Sequence, residues 1–381
     1  MTVLNGKNKR GREASSYSTK RDLKRRDTVR YGKRRIGAQS FALVLCLVLV
    51  ICVVAASAWH FLTAERPQKD RQDELAESII AANTGSGEEE PLFEEVTLEY
   101  ADASKGDLIL VNFEHEYVFP ETEDHLVNIF SNKTADYGVA YNDYVLDGHV
   151  LEVFSEFMAA LSRTTEDRSV LINSTYRSLE EQQSIYDSYV QSNGEEYAKK
   201  YVADPGCSEH HTGLALDLTI RYADGTYELM KNYEHLEALN SIAPTFGFIQ
   251  RYPENKYSFT HINTEPWHYR YVGVPHAYVI AKNKLCLEEY VTMLRDYTAD
   301  GEMLLVDAQG DISSCDRKTF PENGYVIYHV PALEDGRTAV PVPIGADSYT
   351  VSGDNCGAFV VAALFGEVEL PAVTFAVPGV R

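Results

Sequence analysis

Basic residues are scarce beyond the first few dozen positions. The 381-residue chain has 35 Lys and Arg against 57 Asp and Glu, a net charge of −22. Residues 1–36 carry a local charge of +10, residues 37–62 carry no Lys, Arg, Asp or Glu, and residues 63–381 sum to −32. An acidic bulk of that size excludes a nucleic-acid partner, because phosphate neutralisation needs clustered Lys and Arg. Glycine-rich phosphate cradles are missing too: no G-x-G-x-x-G and no P-loop follows any candidate strand, so no nucleotide is expected. Cysteine is sparse, with six in all, and Cys46 and Cys52 fall within an apolar run. Cys207, Cys286, Cys315 and Cys356 remain, which allows three pairings, with Cys315–Cys356 preferred. What the chain does have is apolar content, 44% of residues, enough for a packed core in one or two domains plus extras.

The apolar part of that uncharged stretch, Phe41 to Trp59 (FALVLCLVLVICVVAASAW), is long enough as a helix to cross a hydrocarbon core of about 30 Å. A cleaved signal peptide is the rival, with Ala56-Ser57-Ala58 as a cleavage-like site, but signal cores run about 7–15 residues. The anchor is therefore the expectation: a basic cytoplasmic tail at 1–36, a transmembrane helix at 37–62 and an acidic linker at 63–97. The positive-inside tendency then sends the remainder outside the cell membrane.

Periodicity divides the exterior part at about residue 300. In 98–299, Leu108–Asn112 reads as a buried strand and His149–Leu161 as a helix with an apolar stripe. Ser169–Asn173 reads as a strand, Leu179–Val190 as a helix stopped by Ser192-Asn193-Gly194, and Gly213–Ile220 as a strand. Tyr233–Ile242 is a helix, Gly247–Tyr252 and Tyr269–Val274 are extended, and His276–Tyr297 is a helix. Residues 300–381 hold short apolar runs between Gly, Pro and Asp clusters, a small β-rich unit. The mixed order of elements in 98–299 predicts an α+β domain.

Two motifs carry chemistry. The first is Ser208-Glu-His210-His-Thr-Gly213-Leu-Ala215-Leu-Asp217. On a strand, Gly213, Ala215 and Asp217 share one face and Leu214, Leu216 and Leu218 the other, so leucines pack inward while the nearly bare face admits a ligand. His210, just before the strand, and Asp217 supply two of the three ligands of an open zinc site. The second is Glu265-Pro-Trp-His268. Pro266 opposes a helix, and a stiffened turn is expected to put His268 on the metal and Glu265 beside the water it activates. Glu265 would take that water's proton and pass it to the leaving amine. His211, His261 and Cys207 compete as ligands, but structural roles fit them better, Cys207 as a disulfide or a buried thiol.

S-x-H-x-x-G-x-A-x-D followed about fifty residues later by E-P-W-H-Y-R-Y-V-G resembles the zinc D,D-carboxypeptidases of the VanY type, with the related L,D-carboxypeptidases of peptidoglycan. Leu110-Val-Asn112, Tyr176-Arg-Ser178 with Gln182, and Gly247-Phe-Ile-Gln-Arg-Tyr-Pro253 agree with it, over roughly residues 100–285. The resemblance implies a compact Hedgehog/D,D-peptidase-like α+β fold, Zn2+ on His210, Asp217 and His268, and Glu265 as general base. It implies that Arg177 faces the substrate and stabilises the developing oxyanion, which suits a planar, permanent charge. Ser174, Gln182 and Ser208 are implied as substrate-contacting or supporting groups. The expected activity is removal of the C-terminal D-alanine from peptidoglycan stem peptides. The alternatives are an L,D-carboxypeptidase, an endopeptidase, a non-catalytic wall-peptide binder and a scaffold built on the C-terminal unit.

Overall fold

The computed structural model describes residues 92–375. The expected tail, membrane helix and most of the linker lie outside them. Among the described residues no helix is long and apolar enough to cross a membrane.

The elements used below are β1 (Phe93–Glu99), β2 (Gly138–Val139), α1 (Gly148–Thr165), β3 (Val170–Ser174), α2 (Leu179–Asn193), β4 (Ala215–Arg221), α3 (Leu236–Ile242), β5 (Phe248–Tyr252), β6 (Glu265–Tyr271), α4 (Val274–Asn283) and α5 (Leu287–Leu294). They are followed by β7 (Met303–Asp307), β8 (Ile312–Cys315), β9 (Gly324–Pro331), β10 (Arg337–Pro343), β11 (Ser348–Gly353) and β12 (Ala358–Phe365). One mixed sheet runs β2-β3-β4-β6-β5, with the short strand Tyr227–Glu228 also on β4. The second, antiparallel throughout, runs β8-β7-β9-β12-β11.

Strand β4 follows the sequence pattern. Leu216, Leu218 and Ile220 enter a core with Val150, Phe154, Phe157 and Leu161 of α1, and with Phe248 and Tyr269 from the neighbouring strands. Asp147 starts α1 by accepting the amides of His149 and Val150. Ser178 and Glu181 close a reciprocal capping box on α2, and Gly194 ends it at φ +88°.

Three expectations differ from what is found. Leu108–Asn112 is buried but is no strand. Its backbone bonds outside any ladder: Arg270 takes the carbonyls of Asp107 and Ile109, and Asp354 accepts the Leu110 amide. The helix over 276–297 is two helices, broken where Lys284 is left-handed (φ +55°). All four described cysteines are free. Cys315 ends β8, three strands from β12, which Cys356 closely precedes; at about 4.8 Å per strand the pair lies beyond the reach of a disulfide.

The two sheets are not separate bodies. One buried cluster joins Leu108, Ile249 and Val272, the inner faces of α4 and α5, and Leu304, Val306, Ile327 and Val360 of the second sheet. Strand β1 pairs over its whole length with β10, from Phe93 opposite Pro343 to Glu99 opposite Arg337.

Candidate metal centre

Register assembles the site. In the ladder β3-β4-β6, Ser174 stands opposite Asp217, and Asp217 opposite His268. Glu265 joins them through an irregularity. Tyr252 pairs with Glu265 and Gln250 with Tyr269, so between these pairs one residue on β5, Arg251, faces three on β6, Pro266, Trp267 and His268. A regular strand would send residues three apart to opposite faces. The extra residues over Pro266–His268 bring Glu265 back, and its Oε2 lies 3.8 Å from His268 Nδ1. The expected turn is thus a bulged strand.

His210 sits in a single tight 3-10 turn, Glu209–Thr212, ended by Gly213 at φ +71°. A Cβ on Gly213 would come within 2.7 Å of Leu126 Cδ2 and 3.2 Å of the Asp147 amide nitrogen. The turn is tied to the strands because its His210 carbonyl accepts the Arg177 amide and Gly213's carbonyl accepts that of Asp147. His210 Nδ1 lies 2.6 Å from the Thr175 carbonyl, which can only accept. The hydrogen is therefore on Nδ1, and the Nε2 lone pair faces Asp217 Oδ2 at 3.4 Å. His268 Nδ1 lies 3.1 Å from Asp217 Oδ1.

One donor atom each from His210, Asp217 and His268 falls within 4.8 Å of the others. A divalent ion fits this set. Asp217 Oδ1 is buried and has no hydrogen-bond partner, a cost on the order of 1–3 kcal/mol that a cation would remove. Two imidazoles and one carboxylate are zinc donors with a place left for water.

Arg177 stands at the rim, between β3 and the capping box of α2. Its Nη2 donates to Asp217 Oδ2 (2.9 Å) and Ser174 Oγ (2.8 Å), and its Nη1 to Gln182 Oε1 (3.2 Å). Gln182, fully buried, spends its amide on the Ala203 carbonyl. Ser174 and Gln182 therefore hold the guanidinium. Ser208 is buried and lines the cavity in front of the triad, about 350 Å³, together with Arg177, Gln182, Glu265, Trp267 and Tyr189.

Charge among the site's residues is uneven. Burial pushes the Glu265 carboxyl up to about 8, the direction wanted in a base. Burial pushes His210 down to about 4. Burial would lower His268 as well, but Asp217 and Glu209 outweigh it and raise it to about 9. Asp217 would be raised by burial, yet His210 and His268 hold it well below the carboxylate range.

The competing ligands lie elsewhere. His211 is fixed by the Arg177 carbonyl and the Gly206 amide. His261 packs on Phe113, and Cys207 is a buried free thiol. Sequence reasoning missed Glu209. It is buried against Arg251 and Arg270, with Oε2 3.4 Å from His268 Nε2. The signal was two arginines in apolar strands, each needing an anion.

Comparison with known proteins agrees with this geometry. Residues 144–274 match the model of the VanY family, D-alanyl-D-alanine carboxypeptidase. A bifunctional D-Ala-D-Ala dipeptidase and carboxypeptidase, VanXYC of Enterococcus gallinarum, is 36% identical over 151 residues, covering 39% of this chain and 77% of that protein. A D-alanyl-D-alanine carboxypeptidase of Enterococcus faecium is 27% identical over 289 residues, 75% of this chain and 84% of its own. The solved D,D-dipeptidase VanXYg, in complex with a D-Ala-D-Ala phosphinate analogue, is similar with a TM-score of 0.59 and 30% identity, over 71% of this chain and 99% of that one. The chain belongs to the VanY family of D-alanyl-D-alanine carboxypeptidases and is a metallopeptidase of that class, with zinc as its cofactor.

Proposed function

We propose that this enzyme removes the C-terminal D-alanine from peptidoglycan stem peptides, and that it does so outside the cell, tethered by the apolar segment 41–59. The observation that carries the catalytic part is the meeting of His210, Asp217 and His268 with a buried Glu265 in one cavity. The tether is supported by the uncharged run and its basic flank.

Zinc held by the triad would polarise the scissile carbonyl and ready a water for attack. The protein's own residues do the rest. Glu265 accepts the water's proton and returns it to the leaving amine. Arg177, its head fixed by Ser174 and Gln182, presents a permanent positive charge to the oxygen that turns negative. The surrounding walls strengthen both interactions by excluding water.

Product masses from tetra- and pentapeptide stems test the reaction. The proposal expects one alanine from the pentapeptide and none from the tetrapeptide. Alanine from the tetrapeptide alone would make the enzyme an L,D-carboxypeptidase, and cleavage within a cross-link an endopeptidase. Glu265→Gln should keep zinc and lose most turnover, whereas His268→Ala should lose both. Full activity in the first, or retained metal in the second, would overturn the assigned roles, whereas no product from either stem with the wild-type enzyme would leave a wall-peptide binder as the better reading.

A further inference from the structure

Each ligating histidine needs its other ring nitrogen fixed, and the two are treated differently here. His210 is fixed by the neutral Thr175 carbonyl. His268 turns Nε2 toward Glu209 Oε2, at 3.4 Å. Both of those atoms are buried, and neither has a hydrogen-bond partner elsewhere. Two polar atoms without other partners, one able to donate and the other only to accept, face each other at that distance.

Glu209 is committed to that position. It is 1% exposed, and its other oxygen, Oε1, accepts from Arg251 Nε (2.7 Å) and Arg270 Nη1 (2.9 Å). Arg251 also forks onto Glu288 (2.9 and 2.6 Å), and Arg270 donates to the carbonyls of Asp107 and Ile109. Neutralising the two guanidinium groups engages one oxygen of Glu209 and both of Glu288, and it leaves Oε2 free for the ring. A carboxylate whose only task was to balance charge would have no reason to aim its second oxygen at His268.

We propose that Glu209 is the positioning residue of His268: it accepts Nε2–H and so keeps Nδ1, the nitrogen beside Asp217, as the ligand atom. The two histidines then present opposite ring nitrogens to one ion, His210 through Nε2 and His268 through Nδ1. A carboxylate behind a ligating imidazole also makes it a better donor, and losing such a partner typically weakens metal binding about 10–100-fold. The proposal rests on the zinc site described above but not on any substrate.

The test uses the full-length chain and reads metal and ring chemistry rather than hydrolysis. In zinc-loaded wild-type protein labelled with 15N-histidine, long-range nitrogen–proton spectra should show His268 protonated at Nε2 and metal-bound at Nδ1, assigned by the signals lost in His268→Asn. The opposite tautomer overturns the proposal even if Glu209→Gln fails to fold. Glu209→Gln should raise the zinc dissociation constant, measured against a competing chelator, by about 10–100-fold. Glu288→Gln, which disturbs the same arginine but not the ring, should leave it unchanged. Wild-type affinity in Glu209→Gln, or equal weakening in the two variants, would reduce Glu209 to a counter-ion. A stem-peptide specificity other than the one proposed would leave all of these results in force.

Discussion

At the scale of single residues, the site depends on atoms whose partners are few and fixed. Arg177 is the plainest case, since one planar head serves Ser174, Gln182 and Asp217 together. A lysine would keep the charge but not the fork. Arg177→Lys should therefore keep its zinc and lose turnover by about 10²-fold, the scale of losing one oxyanion donor. Metal analysis beside kcat checks it, and wild-type turnover would remove Arg177 from the reaction. His210, Asp217, His268 and Glu265 were legible because each lies in a short motif with characteristic neighbours. Glu209 was not, although it sits inside the first motif. Its surroundings come from Arg251 and Arg270, 42 and 61 residues away, and nothing local marks it as buried.

At the scale of elements, β4 supports the site through its opposite face. Leu218 is buried in the core under α1, one residue beyond Asp217. Leu218→Ala should cost about 2–5 kcal/mol in denaturant unfolding, and the folded fraction should still bind zinc. A cost well under 1 kcal/mol would mean that this face does not hold the strand. The alternation that reveals β4 is local, so sequence shows it. The bulge in β6 is a mismatch between two strands, and no period within Glu265–Tyr271 encodes it. The same reason hid Leu108–Asn112, whose backbone partners come from Arg270 and Asp354.

At the scale of the whole molecule, the C-terminal strands share their core with α4 and α5. Ending the chain at residue 299 would expose Leu287, Tyr290 and Leu294 together. The truncated protein should be insoluble or molten, as read by near-UV circular dichroism and dye binding. A native-like truncated peptidase would show that the second sheet is dispensable.

The buried charges join the same parts and should set an acid limit. Burial alone would raise the Glu288 carboxyl, but Arg251 outweighs it and holds the group below its ordinary value. A carboxyl depressed in the folded state contributes its full stability above the unfolded value of about 4.5, and loses it as pH falls through the folded value. Unfolding free energy should therefore decline below about pH 4.5, less steeply in Glu288→Gln than in wild type. Equal slopes in the two proteins would rule out this ion pair as a source of the acid sensitivity.

The pairing of β1 with β10 has a consequence during synthesis. Glu99 and Arg337, joined by a salt bridge, are 238 residues apart in the chain. At about 5–20 residues per second, the first strand leaves the ribosome on the order of 10–50 s before its mate exists. Throughout that interval Phe93–Glu99 is an unclaimed edge able to pair with another nascent chain. Its three glutamates, Glu94, Glu95 and Glu99, put negative charge along the strand and discourage such an encounter.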